Sequence, residues 1–263
     1  MREKIYDTLN QIARDNDIEV MFAVESGSRA WGFASKDSDY DVRFVYKRPA
    51  HNYMRLDKRK ETIEWNHDPI LDMVGWDISK FLILLRKSNP SALEWLQCPR
   101  YLVNSPYRLR DLEALSEDCF NPRALAFHYA GMARENANEF LRIANGKVRD
   151  EPPTTKKYLY VVRAILSAKY VCDYRDMPYI DFLDLVDHYR RQLYSDGGDE
   201  VIDGLLKRKR NGLEKDVHER LPEIDEWVIA NLQDCLSRAH SLEIRPAPSW
   251  DYVNELFEKI VTE

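Results

Sequence analysis

Glycine is scarce, with 9 residues in a chain of 263. That is too few for the many tight turns of a loop-rich all-β fold. Cysteine is scarce as well. Cys98, Cys119, Cys172 and Cys235 lie far apart, with no CxxC pair and no histidine at zinc-ligand spacing. This excludes a zinc ribbon or a disulfide framework and leaves them as small apolar side chains. No apolar run approaches the about 20 residues that span a bilayer. The start, MREKIYDTLNQIARDND, lacks the apolar core of a signal peptide. The expectation is a cytoplasmic protein with reduced thiols and no membrane contact. Positive charge is not in excess either: 39 Lys+Arg against 45 Asp+Glu leave a net charge of -6. A broad basic coat for nucleic acid is excluded, although a local basic groove is not.

What is present is an ordinary globular mixture, 44% hydrophobic and 32% charged, which excludes a disordered tail. At roughly 150 residues per domain the chain makes one large domain or two modest ones. Ile5, Leu9 and Ile12 at helical spacing predict an amphipathic helix over 2–16. IEVMFAVE (18–25) reads as a strand buried on both faces. YDVRFVYKR (40–48) alternates as a second strand. ETIEWN (61–66) and PILDMVGW (69–76) make two more, joined at His67-Asp68-Pro69. Asp77 then caps a helix over ISKFLILLRK, and Asn89-Pro90 stops it and starts SALEWLQ. Beyond about residue 105 strand signals fade. Helical stretches are predicted over 121–145, 156–174, 181–194, 198–208 and 221–241, with NGKVRDEPPTT (145–155) as a linker. The pattern is an N-terminal α/β half followed by a helical half, divided as 1–118 and 119–263.

Chemistry concentrates in ESGSRAWGFASKDSDYD, residues 25–41. Gly27 and Ser28 stand where a strand turns into a helix. Glycine lets backbone approach a ligand closely, and free N–H groups at a helix start suit a phosphate. Asp37 and Ser38 are turn residues, with Ser38 a local hydrogen-bonder. On a strand, Asp39 and Asp41 project to the same face. Two like charges that close call for a cation, and Mg²⁺ or Mn²⁺ prefers such oxygen ligands together with substrate phosphate. Arg29 offers its guanidinium to a triphosphate or to Glu25, while Trp31 packs beneath. In the helical half Lys156, Tyr160 and Arg163 share one helix face. That face suits a nucleotide, the tyrosine stacking a base and the cations meeting phosphates.

The stretch GSRAWGFASKDSDYDVRFVY resembles the glycine-serine and aspartate-pair signature of DNA polymerase beta-like nucleotidyltransferases. More narrowly, it is similar to the predicted nucleotidyltransferases associated with RNA ligases. LDMVGWD, ISKFLILLRKSNP, Glu94-Trp95-Leu96 and, loosely, KKYLYVVR extend the likeness. The resemblance implies an α+β fold, a small mixed-sheet catalytic domain followed by an all-helical domain, with the active site in the cleft between them. It implies transfer of a nucleoside monophosphate from an NTP to an acceptor hydroxyl or phosphate, releasing pyrophosphate. It also implies a third strand carboxylate. Asp72 is preferred, because N-capping already accounts for Asp77. Asp39, Asp41 and Asp72 would then hold Mg²⁺ or Mn²⁺, and Gly27, Ser28, Arg29, Lys156, Tyr160 and Arg163 the nucleotide. The acceptor stays open, an RNA end or a tRNA among the candidates. Two other readings compete. One is a non-catalytic nucleotide sensor or toxin–antitoxin partner. The other is a helical ribonuclease using Arg123 and His128, whose spacing fits an R-x(4–6)-H motif.

Overall fold

A computed structural model describes residues 1–57, 59–141, 143–144, 147–148, 153–195, 199–213 and 220–263. Contacts divide the chain into two units. The first is Met1–Ala30, Asp39–Phe120 and Pro246–Glu263; the second is Trp31–Ser38 and Asn121–Arg245. The boundary at Phe120 lies close to the division at 118/119 drawn from the sequence. Two segments follow their contacts rather than their place in the chain: Trp31–Ser38 packs among helices, and Pro246–Glu263 packs with the sheet unit.

The first unit is built on a mixed five-stranded sheet of order β3-β4-β2-β1-β5. Its strands are β1 (Glu19–Ser26), β2 (Tyr40–Lys47), β3 (Thr62–Asp68), β4 (Leu71–Asp77) and β5 (Arg100–Val103). β2 and β4 run parallel; the other neighbours are antiparallel. The amphipathic stripe of α1 (Arg2–Asn16) covers one face, where Ile5, Leu9 and Ile12 meet Ala23, Val42, Phe44, Tyr46 and Met73. The other face is covered at one end by α3 (Ile78–Arg86) and α4 (Pro90–Gln97). Phe22 meets Phe81 edge-on at 5.8 Å, and Trp76 stacks on Trp95 at 3.9 Å. Covered on both sides, β1 is buried from Val20 to Val24, which explains its unbroken apolar run. Asp77 and Asn89 cap α3 and α4 as their positions predict, accepting from the N–H groups of Ser79 and Ala92.

Between β1 and β2 stands only a single turn, α2 (Gly27–Ala30). After α4 come β5 and α5 (Pro106–Cys119), and later a C-terminal helix, α11 (Trp250–Thr262). The sequence reading assigned none of these last three. α11 belongs to this unit because Arg86 Nε donates to Pro248 O at 2.8 Å while its guanidinium lies 4.1 Å from the Trp250 ring centroid.

The second unit holds α6 (Pro122–Phe140), α7 (Thr155–Tyr174), α8 (Phe182–Ser195), α9 (Asp199–Arg210) and α10 (Pro222–Ser241). These match the predicted helical stretches, except that α6 stops at Phe140 and Ile143–Ala144 instead pairs with Lys147–Val148 as a short antiparallel ladder. The linker read over 145–155 falls largely outside the described residues. α7 is central, packed by α6, α8, α9 and α10, and is buried on nearly every side. Two of its buried polar side chains are satisfied by a neighbouring helix. Lys169 Nζ donates to Asn231 Oδ1 at 2.8 Å, and Tyr158 Oη donates to Asp225 Oδ1 at 3.1 Å. Asp225 Oδ2 in turn takes Arg220 Nε at 2.8 Å. All four cysteines are buried. Burial pushes the Cys119 and Cys235 thiols up to about 12, so they stay protonated and act as small apolar groups. Among the described residues no helix is long and apolar enough to cross a membrane.

Candidate active site

The site grows from the register of three strands. Ser26 on β1 pairs with Asp41 on β2, and Asp41 pairs with Asp72 on β4. Paired residues of neighbouring strands share a face, so Asp41 and Asp72 lie side by side. Asp77 is five residues beyond Asp72 on the same strand and projects to the opposite face. There its carboxylate is occupied: Oδ1 accepts from Ser79 N at 2.9 Å and Ser79 Oγ at 2.6 Å, and Tyr53 Oη donates to Oδ2 at 3.3 Å. The side chain of Asp77 is 5% exposed and that of Asp72 46%. The first is a structural cap; the second faces an accessible space.

Arg43 joins the two exposed acids. It lies two residues after Asp41 on β2 and so shares its face. Its Nη2 donates to Asp41 Oδ1 at 3.2 Å and to Asp72 Oδ2 at 2.9 Å, and its Nη1 donates to Asp72 O at 3.3 Å. The sequence reading passed over this residue, although the alternation in DYDVR places it there. Its guanidinium supplies the positive charge that two adjacent carboxylates require.

Gly27 closes the corner from β1. Its φ is 62°, in the left-handed region, and a Cβ built there would overlap the Asp41 carboxylate. Glycine is thus required on two counts, conformation and space. Ser28 follows, buried within α2. Asp39 stands one residue before β2 and is exposed. Its carbonyl accepts from Arg29 Nε at 3.1 Å, and the Arg29 guanidinium lies 3.6 Å from the Tyr40 ring centroid. Arg29 thereby ties the two ends of the intervening loop together. Glu25, the other partner considered for Arg29, accepts from Tyr101 Oη at 2.8 Å. Burial, reinforced by Glu25, pushes that tyrosine's hydroxyl well above its ordinary range. Within the loop, Ser38 bonds back to Ser35 through both backbone and hydroxyl, the local turn predicted for it.

The remaining site candidates belong to the helical unit. Lys156 is exposed at the start of α7, its Nζ 5.7 Å from the Tyr160 ring centroid. Tyr160 meets Trp31 edge-on at 5.4 Å, and Arg163 is buried with its guanidinium 4.1 Å from the same indole. Arg123 and His128 do not converge. Five residues apart on α6, they point roughly 140° apart around its axis. Arg123 donates to Leu242 O at 3.4 Å.

Among the described residues no three metal-ligating side chains are gathered ready for an ion. The residues nonetheless fit a hard divalent cation. The donors are carboxylate oxygens, glycine clears the space beside Asp41, and a guanidinium already stands as a cation between Asp41 and Asp72.

The chain is similar to known proteins. A family model described as "RlaP: RNA repair pathway DNA polymerase beta family" matches residues 1–259. A Bacillus subtilis (strain 168) protein, "Uncharacterized protein YcgL", is 32% identical over 265 residues, covering 100% of this chain and 97% of that one. Among solved structures, a nucleotidyltransferase-like protein from Exiguobacterium sibiricum 255-15 matches 92% of this chain and 75% of its own. The identity is 11% and the TM-score 0.33.

Proposed function

The chain belongs to the RNA repair pathway DNA polymerase beta family, and from that premise we propose that it is a metal-dependent nucleotidyltransferase. It moves a nucleoside monophosphate from an NTP to an acceptor hydroxyl or phosphate and releases pyrophosphate. The single observation that carries this reading is the register Ser26–Asp41–Asp72, with Gly27 pressed against Asp41. It puts two accessible carboxylates beside a backbone corner that a phosphate can approach.

In this reading Asp39, Asp41 and Asp72 hold Mg²⁺ or Mn²⁺. The bound ion supplies charge neutralisation at the attacking and leaving oxygens. The backbone N–H groups at Gly27 and Ser28, with the Ser28 hydroxyl, receive phosphate oxygens. Arg43 holds Asp41 and Asp72 at their spacing and offsets the repulsion between their charges. In this reading Asp72, the more exposed of the pair, helps to deprotonate the acceptor hydroxyl. Arg29 fixes the backbone of Asp39. Lys156 offers an exposed ammonium to phosphate, while Tyr160 and Arg163 act through Trp31. The family description favours an RNA end as acceptor, over a tRNA, a protein side chain or a small molecule.

The test is incubation of the protein with each labelled NTP, Mg²⁺ and either cellular RNA or cellular protein. Label is expected in the RNA fraction, with pyrophosphate released. Asp41→Asn is expected to reduce labelling by at least about 10³-fold while the protein still folds. Full labelling by that variant would refute the carboxylate assignment. Label in protein would move the acceptor, and none in either fraction would favour a nucleotide sensor.

A further inference from the structure

The strand register that sets Asp41 beside Asp72 also fixes what else lies on that face of the sheet. Along β4, Asp72, Val74 and Trp76 alternate to one side. β3 sets Glu64 opposite Val74 and Thr62 opposite Trp76, so these two join the same face. Four residues of strand carry this strip about 13 Å from Asp72 to Trp76. Glu64 is exposed, while Val74, Thr62 and Trp76 are half-buried. The strip is an accessible path that leads away from the acids, and all of it belongs to the sheet unit.

Lys80 stands at the far end of the path. It lies in the first turn of α3. Its Nζ donates to Thr62 Oγ1 at 2.7 Å and lies 5.0 Å from the Trp76 ring centroid. Trp76 is in turn fixed by its stack on Trp95. The ammonium is therefore held in place rather than left at the tip of a free chain. It has three donors, and Thr62 takes one. Among the described residues no carboxylate stands within ion-pair distance of it. Arg43, the other cation of this face, is taken up by Asp41 and Asp72. A lysine in the first turn also adds to the positive end of the helix dipole instead of opposing it, and the Asp77 that caps this turn projects to the opposite face. A fixed ammonium without a carboxylate suits a phosphate, which it meets as a point charge.

We propose that Lys80 holds a backbone phosphate of the acceptor RNA, a few nucleotides in from the end that Asp72 faces. The identity of the acceptor rests on the proposed nucleotidyl transfer; the placement of the lysine does not. Lys80 touches no reacting atom, so it is a binding and positioning residue. Glu64 lies on the same path and repels the same backbone, which sets an opposite sign for its removal.

The test uses the full chain and a short single-stranded RNA, with binding measured in the absence of NTP. Lys80→Gln is expected to weaken binding about tenfold and to reduce the slope of log Kd against log salt by about one. Lys80→Arg should restore both, and Glu64→Gln should tighten binding by a smaller factor. A neutral methylphosphonate is then placed at successive positions from the RNA end. At one position it should weaken wild type as much as Lys80→Gln does, and add nothing further in that variant. Weaker binding with the salt slope unchanged, or methylphosphonate losses equal in wild type and Lys80→Gln at every position, makes the lysine structural and overturns the proposal. Wild type that binds no RNA overturns it too. So does Lys80→Gln with a raised KM for the NTP and unaltered RNA binding, which gives the ammonium to the triphosphate. If wild type binds RNA through Lys80 yet labels nothing, nucleotidyl transfer is what fails and the phosphate contact stands. If wild type labels RNA and Lys80→Gln labels subsaturating RNA equally fast, the contact fails and the transfer stands.

Discussion

The two units treat charge in opposite ways. In the sheet unit Asp41 and Asp72 sit at an accessible strand end, with the Arg43 guanidinium between them. In the helical unit Asp225, Arg163, Lys169 and Lys209 are buried, each against a named internal neighbour such as Tyr158, Trp31, Asn231 or Phe33. An accessible pair of like charges gains from a ligand of opposite charge. A buried charge that already has its partner gains nothing further and loses much if that partner goes. The comparison therefore separates acids left open to a ligand from charges that fix the fold.

Four substitutions or titrations can break that distinction. The largest effect is expected from Asp72→Asn. Labelling should fall about 10²–10³-fold with the melting temperature unchanged, because the side chain is half exposed; a lower melting temperature with full labelling would make it structural. Asp225→Ala should do the reverse. It leaves Arg220 and the Tyr158 hydroxyl facing an absent partner and should cost about 3–5 kcal/mol in denaturant unfolding, with the specific activity of the folded fraction retained. Asp77→Ala removes the cap of α3 and should cost about 1–2 kcal/mol, again with labelling retained. Loss of labelling there would return Asp77 to the catalytic set.

The smallest effect is alkaline. Burial, the first cause in each case, pushes Tyr46 in the sheet unit and Tyr158 in the helical unit up to about 12, against about 10 when unfolded. The folded state holds these protons more tightly, so their contribution is complete below pH 10 and is lost as pH rises toward 12. At half a pH unit above 10 each should cost about 1 kcal/mol. Tyr46→Phe and Tyr158→Phe should each flatten the stability profile between pH 10 and 12; an unchanged profile would contradict the burial argument.

Much of this was legible in the chain because the signals are local. Asp77 and Asn89 announce helix starts, and Gly27 and the DYD pair carry their constraints within a few residues. β5 was not legible: RYLV is four residues long at a sheet edge, without alternation. The helix over Trp250–Thr262 does carry a signal, a Ser249 cap with Val253 and Ile260 seven apart, yet nothing local says that it returns to the sheet unit. The Arg123–His128 spacing misleads for the converse reason, since a linear motif is silent about the angle around a helix.

By itself the sequence determined most of the strands and helices, the caps at Asp77 and Asn89, and the family signature. Only tertiary structure decided that Asp72 lies against Asp41 while Asp77 faces away, because a parallel pairing between β2 and β4 is set by where the intervening hairpin returns. It also decided that Trp31 and Phe33 lie against Arg163 and Lys209. Those contacts join residues more than a hundred positions apart, and no periodicity within either segment encodes them.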